Sequence, residues 1–356
     1  MIVRPSVIVW FRESLRLSDH PALAAAAERG QPVVCLFVMD DESPGLRPRG
    51  GATRWWLAQS LKSLRASLRA IGSDLVIRRG PAARVVPALA RDSNAAAVFW
   101  NDIAQAPQRA VARDVGEALA MLGIESQDFS DDLLVDPARL RNKEGRTMRV
   151  FTPFWKRVLA LGDPPQLLPA PKALPPVTDI SGLAIDELDL EPTTPDWAGG
   201  LRETWLNNGS VPGERGAQTR LAAFLQTDVK TYVGDRDRPD RDGTSRLSPH
   251  LRFGELSPRQ VWHAARFAAA EHPSTAAGID KFMSELGWRE FSRHLLYDVP
   301  DLATRNLQAS FDAFPWRQDA VALHAWQRGR TGYPIVDAGM RQLWHSGTMH
   351  NRVRMV

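Results

Sequence analysis

In the first third of the chain, short apolar runs alternate with longer stretches rich in alanine, leucine and arginine. The apolar runs are continuous, as in strands whose two faces are both buried. Alternation of such strands with helices predicts a parallel sheet that is covered by helices on both sides. The predicted strands are residues 6–11, 32–39, 74–78 and 95–100, and the predicted helices are residues 21–29, 53–71, 82–91 and 109–122.

The composition changes between residues 163 and 197, where a proline-rich stretch is followed by an acidic, polar one. This pattern predicts an interdomain linker with little regular structure. Beyond residue 211 the patterns are helical, at residues 217–226, 257–269, 276–298, 320–327 and 334–345. The predicted fold is α/β followed by all-α: a doubly wound, Rossmann-like parallel-sheet domain at 1–133, a linker at 134–200 and a helical domain at 201–356.

The 356 residues are enough for two or three domains, and the formal net charge of +4 permits a nucleic-acid partner without requiring one. The single cysteine, Cys35, cannot form a disulfide within the chain, which is typical of a reducing cytoplasm. No apolar stretch reaches the length of a membrane-spanning helix, so no membrane association is expected. No GxGxxG follows the first strand, which argues against a standard NAD-binding Rossmann site.

Residues 281–294 combine large aromatic and ionisable side chains in one helical pattern. Residues three and four apart share a helix face, so Phe282, Glu285, Trp288 and Arg289 are predicted to point the same way. A ring beside a carboxylate and a guanidinium suits a flat, polar ligand. An amphipathic surface helix with an internal Glu285–Arg289 pair, worth about 0.3–0.5 kcal/mol, accounts for the same pattern equally well.

A turn rich in glycine and hydroxyl groups, at residues 242–254, is a second candidate site. Thr244, Ser245 and Ser248 lie where a helix is predicted to begin, which fits either an anion site or an ordinary capped turn. The preceding loop, residues 232–241, carries three arginines between aspartates. It fits a contact with a phosphate backbone and a solvated, salt-bridged loop about equally well.

The last residues repeat the polar pattern of residues 281–294. Asn351, Arg354 and Met355 are spaced i, i+3 and i+4, which places an amide, a guanidinium and a thioether on one helix face. Two such faces beside an anion-binding turn indicate a large cofactor with a diphosphate. Residues 349–356 resemble the opening of a helix without a terminating signal, so we expect the sequence to be incomplete.

Several long stretches of the chain resemble the photolyase/cryptochrome family, and within it the bacterial class I cyclobutane pyrimidine dimer photolyases. They are WFRESLRLSDHPAL near the start, VFTPFWK at 150–156, DGTSRLSPHLRFGELSPRQVW at 242–262, ELGWREFSRHLL at 285–296, and GRTGYPIVDAGMRQL with MHNRVRM near the end. The resemblance implies a helical domain that binds FAD. It also implies light-driven repair of UV-damaged DNA, by electron transfer from reduced FAD to a flipped-out dimer; photolyases are a standard example of base flipping.

The resemblance also implies roles for single residues. Those implied to hold FAD are Tyr232, Thr244, Ser245, Arg246, Leu247, Ser248, Phe282, Glu285, Arg289, Asn351 and Arg354. Those implied to contact the dimer or the DNA are Arg236, Trp288, Asn351, Arg352 and Met355. Two catalytic roles are implied: Glu285 stabilises charge on the dimer, and Trp316 is the surface end of a tryptophan chain that reduces photoexcited flavin. No metal is implied.

Three alternatives to dimer repair remain. A cryptochrome, which senses light without repair, need not keep Trp288 and Met355 on a lesion-facing side, so their presence favours repair. Repair of the 6-4 photoproduct is disfavoured, because a His-His pair is expected where His350 and Asn351 stand. Outside the family, the main alternative is a DNA-binding protein without chemistry.

The sequence also departs from the family pattern. Pro107 and Gln108 stand where folate-binding members have an Asn-Glu pair, and the deazaflavin-type motif is absent, so a second, antenna chromophore (folate or deazaflavin) is doubtful. Family members continue beyond the position of Val356, so we expect this chain to be truncated, to bind FAD poorly and to repair little. A monomer in the cytoplasm is expected.

Overall fold

The computed structural model describes residues 5–142, 144–177, 180–207 and 211–356. Its N-terminal part is built on five parallel strands: β1 Ser6–Phe11, β2 Val33–Met39, β3 Leu75–Arg79, β4 Ala95–Asn101 and β5 Glu125–Phe129. Their order is β3-β2-β1-β4-β5, with Val9 of β1 paired with Cys35 on one side and Phe99 on the other. Every residue of β1 and β2 is buried, as their apolar sequences predict.

Four helices cover the two faces of this sheet: α1 Pro21–Glu28, α2 Gly51–Ala70, α3 Ala82–Asp92 and α4 Ala106–Met121. Successive strand residues point to opposite faces, so Val9 packs in a core with α1 and α2, whereas Ile8 packs in a core with α3 and α4. The doubly wound parallel sheet predicted from the sequence is confirmed, with element limits that differ by only a few residues.

The strand β5, which lies at the edge of the sheet beside β4, was not predicted. Its sequence, ESQDF, begins with four polar residues, and all four are exposed. A polar, exposed edge strand lacks the apolar run that marks a buried strand. Its pairing with β4, in which Gln127 lies opposite Phe99, holds it in the sheet.

The predicted linker, residues 163–197, packs against the α/β part. Within its described residues, the regular structure is one 3-10 turn, Ile185–Leu188, and a single bridge between Pro176 and Val33. Three of its leucines are buried in the core that also contains α1 and α2: Leu174, Leu188 and Leu190. The segment therefore covers part of the sheet domain, and the domain limits at 133 and 200 stay predictions.

The C-terminal part is helical, as predicted. Its helices are α5 Phe151–Ala160, α6 Gly199–Trp205, α7 Glu214–Gln226, α8 Tyr232–Asp235, α9 Ser248–Arg252, α10 Pro258–Glu271, α11 Ala276–Asp298, α12 Ala320–Gln327, α13 Pro334–Ser346 and α14 Asn351–Arg354. The longest, α11, has 23 residues and packs on α5, α8 and α10 in a third core. None of the described helices is both long and apolar enough to cross a lipid bilayer.

A buried network of charges joins the two parts. Arg16, which is 1% exposed, pairs with Asp131 and donates to the carbonyl oxygens of Asp19 (2.5 Å) and Gly254 (3.0 Å). The Asp19 carboxylate accepts a hydrogen bond from the Ser257 hydroxyl at 2.5 Å. The network crosses from the α/β part to the helical part, so it fixes how the two lie against each other.

His20 lies beside this network and caps the N-terminus of α1. Its Nδ1 accepts a hydrogen bond from the Leu23 N–H at 3.0 Å, while its buried Nε2 has no partner among the described residues. Burial, reinforced by the charge of Arg16, lowers the pKa of His20 to about 3. The folded protein therefore keeps this imidazole neutral at pH values where the unfolded chain protonates it.

We expect the free energy of unfolding to fall as the pH drops from about 6.5 toward 3, because only the unfolded chain takes up a proton at His20 over that range. For a histidine with these pKa values the loss between pH 7 and pH 5 is about 2 kcal/mol. His20→Asn keeps a capping oxygen and does not titrate, so its pH dependence should be flatter. Urea unfolding of both proteins at pH 7 and pH 5 measures the difference. Parallel pH profiles would contradict the assignment.

Candidate functional site

A cavity of about 470 Å³ lies between the hydroxyl-rich turn that precedes α9 and the helices α9 and α11. We call it the α9–α11 cavity. Its volume is in the range of small-molecule sites, roughly 300–1,000 Å³. Its wall combines apolar side chains with hydroxyl and charged groups: Leu247, Leu251, Phe282, Leu286, Ser245, Ser248, Ser292, Glu285, Arg252, Arg289 and Arg293.

Three residues of the predicted ligand face of α11 line this cavity. They are Phe282, Glu285 and Arg289, whose spacing of three and four residues puts them on one side of the helix. Trp288, the fourth member, stacks instead on Phe151 of α5, with 3.7 Å between ring centroids and 8° between ring planes. The structure thus brings three of the four predicted residues together and places Trp288 next to the cavity, outside its wall.

The arginines of the cavity carry more charge than their partners neutralise. Arg289 and Arg293 share one carboxylate, that of Asp132, at 2.9 Å and 3.3 Å. Burial lowers the pKa of Arg293, although the charge of Asp132 opposes the shift. Arg252 pairs with Glu13 at 2.7 Å. Because two guanidiniums share a single carboxylate, this side of the cavity keeps an excess of positive charge, which suits an anionic ligand.

Glu285 is held from outside its own helix. It accepts a hydrogen bond from Arg236, which is 8% exposed, and lies 3.9 Å from Lys281. The alternative of an internal Glu285–Arg289 pair is wrong, because Arg289 donates to Asp132. A carboxyl group fixed by a largely buried guanidinium at a cavity wall is placed to hydrogen-bond a ligand.

The hydroxyl-rich turn is supported by Arg220 of α7, which no sequence pattern indicated. The Arg220 guanidinium donates to the carbonyl oxygens of Thr244 (2.8 Å) and Ser245 (2.9 Å). Arg246 adopts a positive φ of 53°, which reverses the chain direction locally. Ser245 and Ser248 line the cavity, whereas Thr244 and Arg246 shape the turn.

Tyr232 supports the cavity by packing on Phe282. Its ring lies edge-on to Phe224 and Phe282, at 5.2 Å and 6.1 Å between centroids. Its side chain is buried, and this burial raises the pKa of the hydroxyl to about 12. Tyr232 therefore contacts a wall residue and does not itself line the cavity.

Trp288 is 46% exposed and begins a column of aromatic rings. Phe151 stacks on it, and Trp155 lies nearly parallel to Phe151 with 6.3 Å between centroids. Gly287 packs so closely on Trp155 that a Cβ at this position would collide with the indole. The glycine therefore lets α11 approach α5, and the column supports an indole that stays partly open to solvent.

Of the predicted residues on α14, one reaches the site. Arg354 lines a cavity of about 250 Å³ that shares Ser248 and Arg252 with the α9–α11 cavity. Asn351 and Met355 are exposed and line neither cavity. The structure thus places Arg354, itself exposed, beside the turn and leaves Asn351, Arg352 and Met355 on the surface.

The arginines of the loop at 236–241 are paired with neighbouring aspartates, which favours the salt-bridged interpretation of this loop. The pairs are Arg236–Asp237 (3.0 Å), Arg238–Asp240 (2.7 Å) and Arg241–Asp235 (2.9 Å). Asp237 also pairs with Arg352 of α14 at 2.8 Å. Little unpaired positive charge is left on this loop.

Trp316 lies on the surface. Its side chain is 69% exposed and its ring lies 4.7 Å from that of Phe314, centroid to centroid. It lines neither of the cavities described above, and its role in electron transfer stays a prediction. Among the described residues, no group of three or more His, Cys, Asp and Glu side chains could hold a metal ion.

The chain is similar to known proteins in sequence and in fold. Residues 7–175 match the profile of the DNA photolyase family, and residues 282–356 match the profile of the FAD binding domain of DNA photolyase. Over 98% of its length the chain is 44% identical to the deoxyribodipyrimidine photo-lyase of Agrobacterium fabrum, of which it covers 71%. Over 98% of its length it is also 35% identical to cryptochrome-2 of Arabidopsis thaliana, of which it covers 58%.

A solved structure gives the same result. The bacterial class III photolyase from Agrobacterium tumefaciens superposes with a TM-score of 0.93 at 42% identity, covering 100% of this chain and 72% of that one. That relative is named as class III, so the class I assignment from the motifs stays a prediction. Matching profiles, identity and fold together show that the chain belongs to the DNA photolyase/cryptochrome family.

Proposed function

We propose that the chain carries out light-driven repair of cyclobutane pyrimidine dimers in DNA, with FAD held in the α9–α11 cavity. The observation that carries the proposal is the composition of the cavity wall. An aromatic ring, a hydroxyl-rich turn and three guanidiniums surround one volume. Similarity to a protein named deoxyribodipyrimidine photo-lyase supports the proposal.

The cavity wall has the chemistry that FAD requires. The hydroxyls of Ser245 and Ser248, with the guanidinium of Arg252 beside them, suit the anionic diphosphate. Phe282 suits stacking against a flat ring, and Glu285 suits hydrogen bonding to its polar edge. Leu247 and Arg289 line the same wall, and Tyr232, Thr244 and Arg246 shape it. Arg354 lines the neighbouring cavity of about 250 Å³, and the contact of Asn351 with FAD stays a prediction.

Reduced FAD, when bound, supplies on illumination the electron that splits the dimer. The chain's own residues bind and orient the reactants. Arg236 holds Glu285 at the cavity wall, where we assign its carboxyl group to hydrogen bonding with the polar rim of the dimer. The guanidinium of Arg236 is hydrogen-bonded to Glu285, so we assign Arg236 the role of positioning that carboxyl group. Its contact with DNA stays a prediction.

The dimer itself is assigned to the residues next to the cavity. Trp288 offers a partly exposed indole, already supported by Phe151, to the apolar side of two fused pyrimidines. Asn351 and Arg352 of α14, and Met355 directly after it, are exposed and offer polar and soft contacts to the dimer and its phosphates.

A second candidate function is blue-light sensing without repair. The observation in its favour is the 35% identity to cryptochrome-2. An exposed, supported indole at Trp288 favours repair, because a sensor has no dimer to pack.

We expect Trp288→Ala to weaken binding of a thymine-dimer oligonucleotide about tenfold or more, because stacking on an aromatic side chain contributes about 1–3 kcal/mol per base. FAD affinity should not change, since Trp288 lies outside the cavity wall. A titration in the dark, followed by illumination in the presence of reduced FAD and a count of remaining dimers, measures both steps.

The matched control is Trp344→Ala, which removes another exposed indole, on α13. Loss of dimers in the light with the unaltered chain supports repair, whereas FAD binding without any loss of dimers would favour the sensor. Unchanged affinity of Trp288→Ala for the dimer would contradict the role of this residue. A second chromophore, the monomeric state, the cytoplasmic compartment and the role of Trp316 stay predictions.

A further inference from the structure

The most basic exposed segment among the described residues near Trp288 is one to which the sequence analysis gave no function. Residues 136–157 carry seven arginines and lysines but only two carboxylates. Lys143 lies outside the described residues. Five of the described cations are exposed: Arg139, Arg146, Arg149, Lys156 and Arg157. A concentration of charge of this kind needs a counter-charge from a partner or from solvent ions.

The centre of this segment is a hairpin, which we call the basic hairpin (residues 139–142 and 144–149). An antiparallel bridge pairs Arg141 with Thr147, and the Asn142 N–H donates to the carbonyl oxygen of Arg146 at 2.9 Å. The Asn142 side chain accepts the N–H groups of Glu144 (3.0 Å) and Arg146 (2.8 Å). These bonds define the backbone path of the described hairpin residues, from which Arg146 and Arg149 are exposed to solvent.

The hairpin is anchored to α11. Arg141 donates two hydrogen bonds to Asp298, both of 2.8 Å, and the Thr147 hydroxyl donates to the same carboxylate at 2.8 Å. Arg141 is therefore committed to structure. A bidentate pair of this kind is the strongest form of the interaction, and it fixes the hairpin against the helix that carries Trp288.

The other cations are not committed. Arg139, Arg149, Lys156 and Arg157 form no ion pair within the part of the chain that the structure describes. Arg146 pairs with Glu144 at 3.3 Å, but its side chain is 79% exposed, so the pair is worth little. The loop at 236–241 differs, because its three arginines are matched one for one by Asp235, Asp237 and Asp240.

The unpaired cations of this segment lie beside the column of aromatic rings formed by Trp288, Phe151 and Trp155. Arg149 and Val150 directly precede Phe151, on which Trp288 stacks. Along α11, Trp288 and the anchor Asp298 are ten residues, or about 15 Å, apart. That distance corresponds to about four base-pair steps of duplex DNA. An open groove of about 800 Å³ borders the hairpin and is lined by Arg141, Arg146 and Arg149.

We propose that the basic hairpin binds the phosphate backbone of DNA a few nucleotides from the lesion, with Arg146 and Arg149 as its principal contacts. The inference rests on the proposed function for the identity of the partner. Exposed guanidiniums on a hydrogen-bonded hairpin suit phosphate oxygens, and contacts of this type position the nucleic acid without reading its sequence. The hairpin thus supplies the phosphate contacts that the neutralised loop at 236–241 does not.

The test is the salt dependence of binding to an undamaged duplex in the dark. Each lost phosphate contact should reduce the slope of log K against log salt concentration by about 0.9. The double variant Arg146→Ala/Arg149→Ala should therefore lose about 2 units of slope and bind at least tenfold more weakly at low salt. The matched control is Arg69→Ala/Arg91→Ala, which removes two exposed arginines from α2 and α3.

An unchanged slope in the hairpin variant, with an unchanged melting temperature, would overturn the proposal. Loss of affinity for a polyglutamate peptide with no change of slope on DNA would likewise overturn it, in favour of an acidic protein partner. The test uses neither light nor a dimer. Failure of repair with the expected slope change would therefore count against the proposed function alone.

Discussion

Arg16→Ala is expected to lower the free energy of unfolding by about 3–5 kcal/mol, because it removes the nearer of the two arginines that pair with the buried Asp131 carboxylate and leaves only Arg259, at 3.5 Å. Arg16 is 1% exposed and Asp131 is 3% exposed. The guanidinium also donates to the carbonyl oxygens of Ser18, Asp19 and Gly254, so its loss removes a donor from four acceptors. Urea unfolding, followed by circular dichroism and by tryptophan fluorescence, measures the change.

Two further variants make the test specific. Arg16→Lys keeps the charge but not the planar fork of donors, so its loss of stability should be smaller than that of Arg16→Ala. Arg91→Ala removes an arginine whose pair with Asp92 is exposed, and should cost about 0–1 kcal/mol. A cost for Arg16→Ala as small as that of Arg91→Ala would show that the network does not hold the two parts of the molecule together.

The same network shows where sequence reasoning stops. Residues 6–11 were predictable as a strand because a run buried on both faces is apolar throughout, and that property is local. Two partners of Arg16, Asp131 and Gly254, are distant in sequence, and no local pattern encodes them. β5 was missed for the opposite reason: its residues face solvent, and its place in the sheet depends on pairing with β4.

At the candidate site, the helix periodicity correctly predicted α11 side chains that line the cavity, but not the charged residues with which they pair. Spacing alone put Phe282, Glu285 and Arg289 together, because a helix fixes which residues share a face. Which ions they meet depends on other elements: Glu285 meets Arg236, and Arg289 meets Asp132. The position of the Trp288 indole likewise depends on its stacking with Phe151 of α5, which the periodicity of α11 cannot predict.

The basic segments show the same limit. The loop at 236–241 attracts attention because its arginines are close together, but each one is paired with an aspartate. The arginines of the basic hairpin are more widely spaced in the sequence, yet its Arg149 forms no ion pair within the described residues. Net charge can be counted from a sequence, whereas free charge depends on which side chains fold back on each other.

Ser248→Glu is expected to weaken FAD binding at least tenfold, because it places a carboxylate at the wall assigned to the diphosphate. Two unit charges about 4 Å apart interact by about 1 kcal/mol in water and about 4 kcal/mol at an effective dielectric constant of 20, and about 1.4 kcal/mol is a tenfold change in affinity. Ser248 is exposed at the start of α9, so the longer side chain should not disturb a core. Ser248→Lys places the opposite charge there and should strengthen binding.

Titration of the purified chain and its variants with FAD, extended to millimolar concentration so that weak binding is also measured, tests the assignment of the α9–α11 cavity most directly. Ser274→Glu is the matched control, because it adds the same charge at an exposed serine between α10 and α11. We predict that Ser248→Glu loses affinity, that Ser248→Lys gains it and that Ser274→Glu matches the unaltered chain. Equal affinities for all four proteins would contradict the placement of FAD in this cavity.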